Sequence, residues 1–306
     1  MTVTFNRRRM LASLAGLCTA SRGSRAEAAL ALSEHELIDL RLPGQAQLGN
    51  RITVYTPKHT RGGTLPVLVL LHGLGETGND RDGAYAWAER YGLLTSYERL
   101  LHPPVDQGLR HHRFLPKIRA EAIDRELMLY PFRGMILVCP YTPNVFQMNT
   151  MRALDDYAAW LVEIVLPEVH SRTPSKQGLR FTALDGCSLG GFISYQVFLR
   201  RPEAFYCCGG VQAAIGKDTA AFYAQQFHDI VQRLGPRRFH LETSTQDPYH
   251  DANVQLARQL ERRGVEHDLR VLPGPHNQPW LIEAGTLEML LWHDRQLAMP
   301  LVSTGT

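Results

Sequence analysis

Uninterrupted apolar runs recur along the chain at intervals that suit a layered fold. The clearest are Val67–Leu71, "GMILVCP" at Gly134–Pro140 and "LRFTALDG" at Leu179–Gly186. Such runs are typical of strands buried on both faces. Three shorter candidates are "FYCCGGVQ", "RFHLETS" and "HDLRVLPG". Near the start, "ELIDLRL" and "NRITVYTP" predict two strands joined by the turn "PGQAQLG".

Helical periodicity fills the intervals between these runs. One apolar stripe recurs at the i, i+3, i+4, i+7 spacing of an amphipathic helix; its members are Leu154, Tyr157, Ala158, Leu161, Val162, Val165 and Leu166. Similar patterns predict helices over Gly191–Arg200, Thr219–Leu234, Pro248–Arg263 and Ile282–Leu297. Strands that alternate with helices of this length predict an α/β fold, a single domain with a mostly parallel central sheet flanked by helices.

One interval is longer than a single crossover helix requires. Between Asp80 and Arg133, the segment "AYAWAERYGLLTSYERLL" predicts one helix, and residues 102–132 form an additional insertion. Insertions of this length are usually functional or irregular, and we expect a solvated or lid-like loop. The insertion contains His102, His111 and His112 without cysteines or carboxylates at ligand spacing, so no metal site is predicted there.

Charge and composition narrow the class of protein. The 306 residues carry a formal charge of +3, and 44% are hydrophobic, as in ordinary globular proteins. There is no basic stripe with interleaved aromatic residues, so no nucleic-acid partner is expected. The N-terminal apolar run is far too short to span a membrane as a helix, and no other segment approaches the roughly 20 apolar residues that a span needs.

The N-terminus has the pattern of an export signal. Three arginines, Arg7–Arg9, precede a short apolar run and then the small residues "AEA", which is the order of a secretory signal. The arginine pair favours the twin-arginine type. We therefore predict a signal over residues 1–28, a single α/β domain over residues 29–306 and a periplasmic or secreted protein. A basic tail on a cytoplasmic protein is the alternative.

The five cysteines do not suggest a disulfide framework. Cys18 falls in the predicted signal, and the others lie in apolar or glycine-rich contexts. We expect buried free thiols at Cys139, Cys187, Cys207 and Cys208.

The strongest chemical signal is "GCSLG", residues 186–190, which fits G-x-S-x-G between a predicted strand and a predicted helix. In that context the serine occupies a sharp turn that exposes its hydroxyl, and the glycines keep neighbouring backbone clear. The helix N-terminus also favours developing negative charge. Ser188 is therefore the predicted nucleophile.

A nucleophilic serine needs a histidine as base and a carboxylate that orients the histidine. Where the serine lies on such a strand-to-helix turn, the Asp or Glu comes next along the chain and the His comes last. Among the later histidines, His250 and His293 lie in helical patterns and His267 opens a strand. His276 lies in the loop "LPGPHNQPW" after the last strand. Ligands bind beyond the carboxyl ends of parallel strands, and His276 is the predicted base.

Two aspartates compete for the role of the acid. Asp247 lies in the loop after a strand and is followed by Pro248, which would equally suit a helix N-cap. Asp251 lies in the helix that follows. We favour Asp247 and keep Asp251 as the alternative.

The developing oxyanion needs two backbone N–H donors. Leu189 follows the nucleophile, and Leu74 lies in "LHGLGETG" after an early strand. A simple glycine turn would also fit this segment. A phosphate-binding loop is disfavoured, because the segment lacks the phosphate-loop patterns.

These motifs resemble the α/β-hydrolase superfamily, in particular its esterase-D-like and enterochelin-esterase-like esterases. The resemblance spans about Asn50 to Leu297 and rests on "ITVYTP", "VLVLLHGLG", "GCSLGGFISYQVFLRRPEAF" and "PGPHNQPWLIEAG". It implies hydrolysis of a small-molecule carboxylic ester by Ser188, Asp247 and His276, without metal or organic cofactor. The family's Gly-His-Asp-x-x-x-Trp run is replaced here by "PHNQPW".

Three alternatives to an esterase are considered. An acyltransferase would use the same triad with an acceptor other than water. A peptidase of this fold would carry a large extra domain that is not expected here, and a binding protein on the hydrolase fold would have no catalytic activity. Trp280 is a candidate for contact with the substrate. The sequence does not predict an oligomeric state.

Overall fold

Eight strands form one sheet at the centre of the protein. The computed structural model describes residues 33–60, 63–106 and 113–298. The strands are β1 (His35–Arg41), β2 (Arg51–Pro57), β3 (Val67–Leu71), β4 (Ile136–Pro140), β5 (Thr182–Gly186), β6 (Cys207–Val211), β7 (Arg238–Gln246) and β8 (His267–Pro275). Their order across the sheet is β1-β2-β4-β3-β5-β6-β7-β8. β1 and β2 pair antiparallel at one edge, and β3 to β8 are parallel, which confirms the predicted mostly parallel sheet.

Helices cover both faces of the sheet. They are α1 (Asp80–Glu89), α2 (Leu93–Leu101), α3 (Lys117–Leu129), α4 (Thr150–Trp160), α5 (Leu166–Arg172), α6 (Leu189–Arg200), α7 (Ala220–Leu234), α8 (His250–Glu261) and α9 (Thr286–Ala298). Alternate side chains of β3 enter opposite cores: Val67 and Val69 pack with α4, α6, α7 and α8, whereas Leu68 and Leu70 pack with α1, α2, α3 and α9. The continuous apolar run of β3 is thus explained by burial on both faces.

The single helix predicted over residues 84–101 is in fact two helices. α1 and α2 are separated at Gly92, whose backbone has a φ of 71°. This left-handed conformation favours glycine. A Cβ at Gly92 would also lie 3.0 Å from the Cα of Ile282, so the break lets the segment pass close to the C-terminal part of the chain.

The described part of the insertion is packed rather than irregular. It contains α3, in which Ile123 is fully buried. The N–H of Phe114 donates to Glu283 Oε1 over 2.6 Å, and Arg119 forms an ion pair of 2.6 Å with Glu288. The expectation of a solvated or lid-like loop is therefore wrong for these residues, because an amphipathic helix finds a partner in the C-terminal region. Residues 107–112, with His111 and His112, lie outside the described residues.

Further predictions concern the N-terminal signal, membrane-spanning helices and the cysteines. The predicted export signal at residues 1–28 lies outside the described residues. Within the part of the chain that is described, none of the helices has the length and apolarity to cross a membrane. The predicted buried free thiols are confirmed at Cys139, Cys187, Cys207 and Cys208.

A buried charged cluster joins the sheet to α9. Both His240 Nδ1 and His293 Nε2 lie 2.8 Å from Asp185 Oδ2, and His240 Nε2 lies 3.3 Å from Glu242 Oε2. Burial by itself would lower the pKa of His240, but the carboxylates of Asp185 and Glu242 raise it to about 10. Burial also raises the pKa of Glu242, to about 7, against the opposing effect of His240.

These pKa shifts predict a loss of stability at alkaline pH. The folded protein keeps a proton on His240 up to a pH of about 10, whereas the unfolded chain loses it near 6.5. Between these two pH values the folded state binds more protons than the unfolded chain. The free energy of unfolding should therefore fall as the pH rises through this range, by on the order of a few kcal/mol. Denaturant unfolding at pH 6 and pH 9 should show a smaller fall for His240→Gln than for the parent. His267→Gln is the control and should follow the parent.

Candidate active site

Ser188 occupies a sharp turn between β5 and α6. Its φ of 54° and ψ of −115° lie in a region that non-glycine residues rarely adopt. Backbone hydrogen bonds hold this conformation on both sides: the N–H of Ser188 donates to Val211 O over 2.9 Å, and its carbonyl accepts from Ala214 N over 2.9 Å. The neighbouring strand β6 and the segment after it therefore impose the strained turn that the G-x-S-x-G pattern predicted.

Gly190 shows why the pattern demands small residues beside the serine. A Cβ at this position would lie 2.1 Å from the carbonyl oxygen of Leu71 and 2.7 Å from that of His72. Both are backbone atoms at the end of β3, so they cannot move aside as a flexible side chain could. The turn beneath Ser188 thus requires direct contact between α6 and the end of β3.

Replacing Gly190 by alanine should therefore destabilise the whole fold. We expect the free energy of unfolding to fall by about 3 kcal/mol, as for severe overpacking. Gly78→Ala is the control, because a Cβ at Gly78 meets no atom within 4 Å. Thermal unfolding of the two variants measures the difference. An equal effect at both positions would contradict the steric explanation.

The three side chains predicted as a triad lie in one hydrogen-bonded row. His276 Nε2 lies 3.0 Å from Ser188 Oγ, and His276 Nδ1 lies 2.9 Å from Asp247 Oδ1. The Asp247 side chain is fully buried, whereas that of His276 is 17% exposed. The imidazole is therefore partly reachable from solvent, while its aspartate partner is shielded.

Two residues that the sequence did not single out orient Asp247. Thr243 Oγ1 donates to Asp247 Oδ2 over 2.6 Å, and the N–H of Tyr249 donates to Asp247 Oδ1 over 3.0 Å. The Tyr249 ring also packs edge-on against the His276 ring at 5.6 Å between centroids. No sequence motif predicts these roles, because a threonine near the end of a strand and a tyrosine in a turn form no recognisable pattern.

The alternative residues lie elsewhere. Asp251 is 63% exposed and forms an ion pair with Lys217. His267 Nδ1 bonds to the carbonyl of Val265 at 2.8 Å, and His293 belongs to the buried Asp185 cluster.

The two predicted oxyanion donors begin helical turns next to the serine. Leu189 is the first residue of α6, and Leu74 is the first residue of the 3₁₀ turn Leu74–Glu76. N–H groups at such positions have no partner within their own helix. Among the described residues, neither N–H has a protein acceptor. The Leu74 loop runs beside the serine, because a Cβ on Gly73 would lie 3.7 Å from Ser188 Cβ.

Trp280 lies under the His276 loop. Its side chain is fully buried, and its indole N–H donates to Pro273 O over 3.0 Å. Together with Phe114, it fills the space beside Gly274, where a Cβ would meet either ring at 2.6 Å. These contacts describe packing and give no support to the predicted contact of Trp280 with the substrate.

The Asp185 cluster is the only described group of His, Cys, Asp and Glu whose ligand atoms are close enough together to be considered for a metal. Asp185, His240 and His293 each place one such atom within 4.8 Å of the others. Both nitrogens, however, lie 2.8 Å from the same carboxylate oxygen, whereas two ligands at 2.0–2.1 Å from a tetrahedral zinc lie about 3.3 Å apart. The spacing fits direct hydrogen bonds in a buried ion pair.

Comparison with known proteins identifies the fold. A scan against protein-family models and a search of curated proteins find no match for this sequence. Solved structures do match: a ferulic acid esterase has a TM-score of 0.62 at 18% identity, over 86% of this chain and 99% of that one. The sheet order, the turn at Ser188 and these matches define an α/β-hydrolase fold, as the sequence motifs predicted.

Two hydrolases extend the likeness. The S-formylglutathione hydrolase of Staphylococcus aureus has a TM-score of 0.57 at 16% identity, over 85% of this chain and 99% of that one. The S-formylglutathione hydrolase of Agrobacterium tumefaciens has a TM-score of 0.55 at 14% identity, over 86% of this chain and 95% of that one. All three neighbours are matched along nearly their whole length.

Proposed function

We propose that this protein is a serine hydrolase that cleaves carboxylic esters through an acyl-enzyme intermediate. The observation that carries the proposal is the row of hydrogen bonds from Asp247 through His276 to Ser188. These residues are far apart in sequence and meet beyond the carboxyl ends of β5, β7 and β8, where ligands bind in open α/β sheets. The neighbouring esterase and hydrolases of the same fold are consistent with hydrolysis as the reaction class.

The geometry suggests the course of acylation. His276 Nε2 accepts the proton of Ser188 as Oγ attacks the ester carbonyl, and the Nδ1–H donates to Asp247, which stabilises the imidazolium. The N–H groups of Leu74 and Leu189 donate to the oxyanion. When the tetrahedral intermediate collapses, His276 returns the proton to the leaving alcohol.

Deacylation repeats the sequence with water as the nucleophile. His276 takes a proton from water, the hydroxide adds to the acyl carbonyl, and Ser188 Oγ leaves with the proton from His276. The net reaction converts an ester and water into an acid and an alcohol. In the exported setting proposed for residues 1–28, the substrate would be encountered outside the cytoplasm.

Pre-steady-state kinetics with p-nitrophenyl acetate test this proposal. We expect a burst of p-nitrophenol equal to the enzyme concentration and an acetyl group on the Ser188 peptide by mass spectrometry. A protein that neither turns over esters nor reacts at Ser188 with a fluorophosphonate would instead be a binding protein on this fold. Added alcohols or sugars that divert most of the acyl group from water would identify an acyltransferase.

A further inference from the structure

A buried hydrogen-bond network lies directly behind the oxyanion loop. The N–H of Gly73 donates to Tyr91 Oη over 3.2 Å, and Tyr91 Oη donates in turn to Glu76 Oε2. Tyr91 and Glu76 are each only 3% exposed. Because Gly73 precedes Leu74, the Tyr91 hydroxyl is bonded to the peptide unit next to the proposed oxyanion donor.

The same carboxylate reaches the loop of the proposed base. Gln278 Nε2 donates to Glu76 Oε1 over 3.1 Å, and Gln278 is two residues beyond His276. Arg90 Nη1 lies 3.3 Å from the same oxygen. Glu76 therefore joins the oxyanion loop to the His276 loop, although the two are about 200 residues apart in sequence.

The Glu76 carboxylate is unexpected beside the oxyanion loop, because its negative charge would oppose an oxyanion forming nearby. Arg90 offsets that charge, and the hydrogen bonds from Tyr91 and Gln278 compensate the burial. Burial also raises the pKa of the Tyr91 phenol well above its ordinary value, so the hydroxyl keeps the proton that it donates. The geometry then leaves one lone pair of the phenol oxygen for the N–H of Gly73.

We propose that Tyr91 and Glu76 are positioning residues that hold the Gly73–Leu74 peptide in register with Ser188 and fix it relative to the His276 loop. The inference rests on the proposed ester hydrolysis, and it adds two residues that do not touch the substrate. Their effect would be specific to the transition state, since the Leu74 N–H binds charge that develops only there.

The test is Tyr91→Phe, which removes one oxygen atom and leaves the ring in place. Without the hydroxyl, the buried N–H of Gly73 loses its oxygen acceptor and is left with the weaker sulfur acceptor of Cys187. The loop is then held less firmly beside Ser188. We expect kcat for p-nitrophenyl acetate to fall about 10- to 100-fold, less than the loss for removal of an oxyanion donor itself, while KM changes little. The inhibition constant of a trifluoromethyl ketone, which mimics the oxyanion, should rise in parallel with the loss of kcat/KM.

Tyr97→Phe is a matched control. Tyr97, on α2, is also fully buried, and its hydroxyl accepts from the N–H of Met135 over 3.1 Å. Met135 directly precedes β4, so this bond lies at the end of the parallel strands opposite to Ser188. Both variants should lose similar thermal stability, and only Tyr91→Phe should lose kcat. Equal kcat values for the parent and Tyr91→Phe would overturn the proposed positioning role.

A second pair of variants covers the case in which Tyr91→Phe does not fold. Glu76→Gln keeps an oxygen that can accept from Tyr91 and should retain most of kcat, whereas Glu76→Ala should repeat the 10- to 100-fold loss. Identical kcat values for the two Glu76 variants would overturn the inference. A parent enzyme with no burst and no labelling of Ser188 would overturn the proposed function and this inference together, whereas an active parent with unaffected variants would overturn the inference alone.

Discussion

Ser188→Ala should lower the turnover of p-nitrophenyl acetate by about 10⁶-fold, as removal of the nucleophile does in serine hydrolases. The reason is geometric: Ser188 Oγ lies 3.0 Å from His276 Nε2 at a turn whose backbone is held on both sides. Among the described residues, the hydroxyl within hydrogen-bond distance of His276 Nε2 is that of Ser188. Steady-state kinetics at high enzyme concentration, with active-site titration of the parent, measure the loss.

Ser194→Ala is the matched control for this prediction. Ser194 lies on α6, the helix that follows Ser188, is fully buried and donates to Gly191 O over 2.9 Å, so its loss affects packing but not the proposed chemistry. We expect this variant to keep its turnover and its labelling by a fluorophosphonate. Cleavage of the ester by Ser188→Ala at the parent rate would refute the assignment of the nucleophile.

Asp247→Asn should lower kcat by about 10⁴-fold, the loss seen when a triad aspartate becomes an amide. Asparagine keeps a neutral oxygen that can accept from the N–H of Tyr249 and from His276 Nδ1, so the turn should survive. It lacks the negative charge that stabilises the cation formed on His276. Asp251→Asn should leave kcat unchanged, because Asp251 is 63% exposed and pairs with Lys217. Circular dichroism and thermal unfolding should show that both variants fold.

The comparison of these two variants decides which aspartate is the acid. Their positions differ by only four residues, and the substitution is chemically identical in both. A large loss in Asp251→Asn together with an active Asp247→Asn would reverse the assignment. Similar small effects in both would show that His276 needs no carboxylate partner.

The spacing of apolar residues predicted the secondary structure well where a strand or helix is buried on one face or on both. The run at Val67–Leu71 is a strand with these same bounds. The amphipathic stripe around Tyr157 runs through α4, the π-helical segment Leu161–Val165 and the start of α5. The prediction failed at Gly92, because a continuous pattern of apolar residues does not reveal a left-handed turn. It also failed for the insertion, since the partner that buries Ile123 is distant in sequence.

The sequence by itself determined the order of strands and helices, the turn at Ser188 and the candidates for the base and the acid. These properties depend on local spacing, on glycine and on which strand each residue follows. Only the tertiary structure placed Asp247 rather than Asp251 beside His276, because that choice depends on which way each side chain leaves the backbone after β7. The structure alone also brought Glu76, Tyr91 and Gln278 together, since contacts between loops arise from the packing of parallel strands and leave no periodic pattern in the chain.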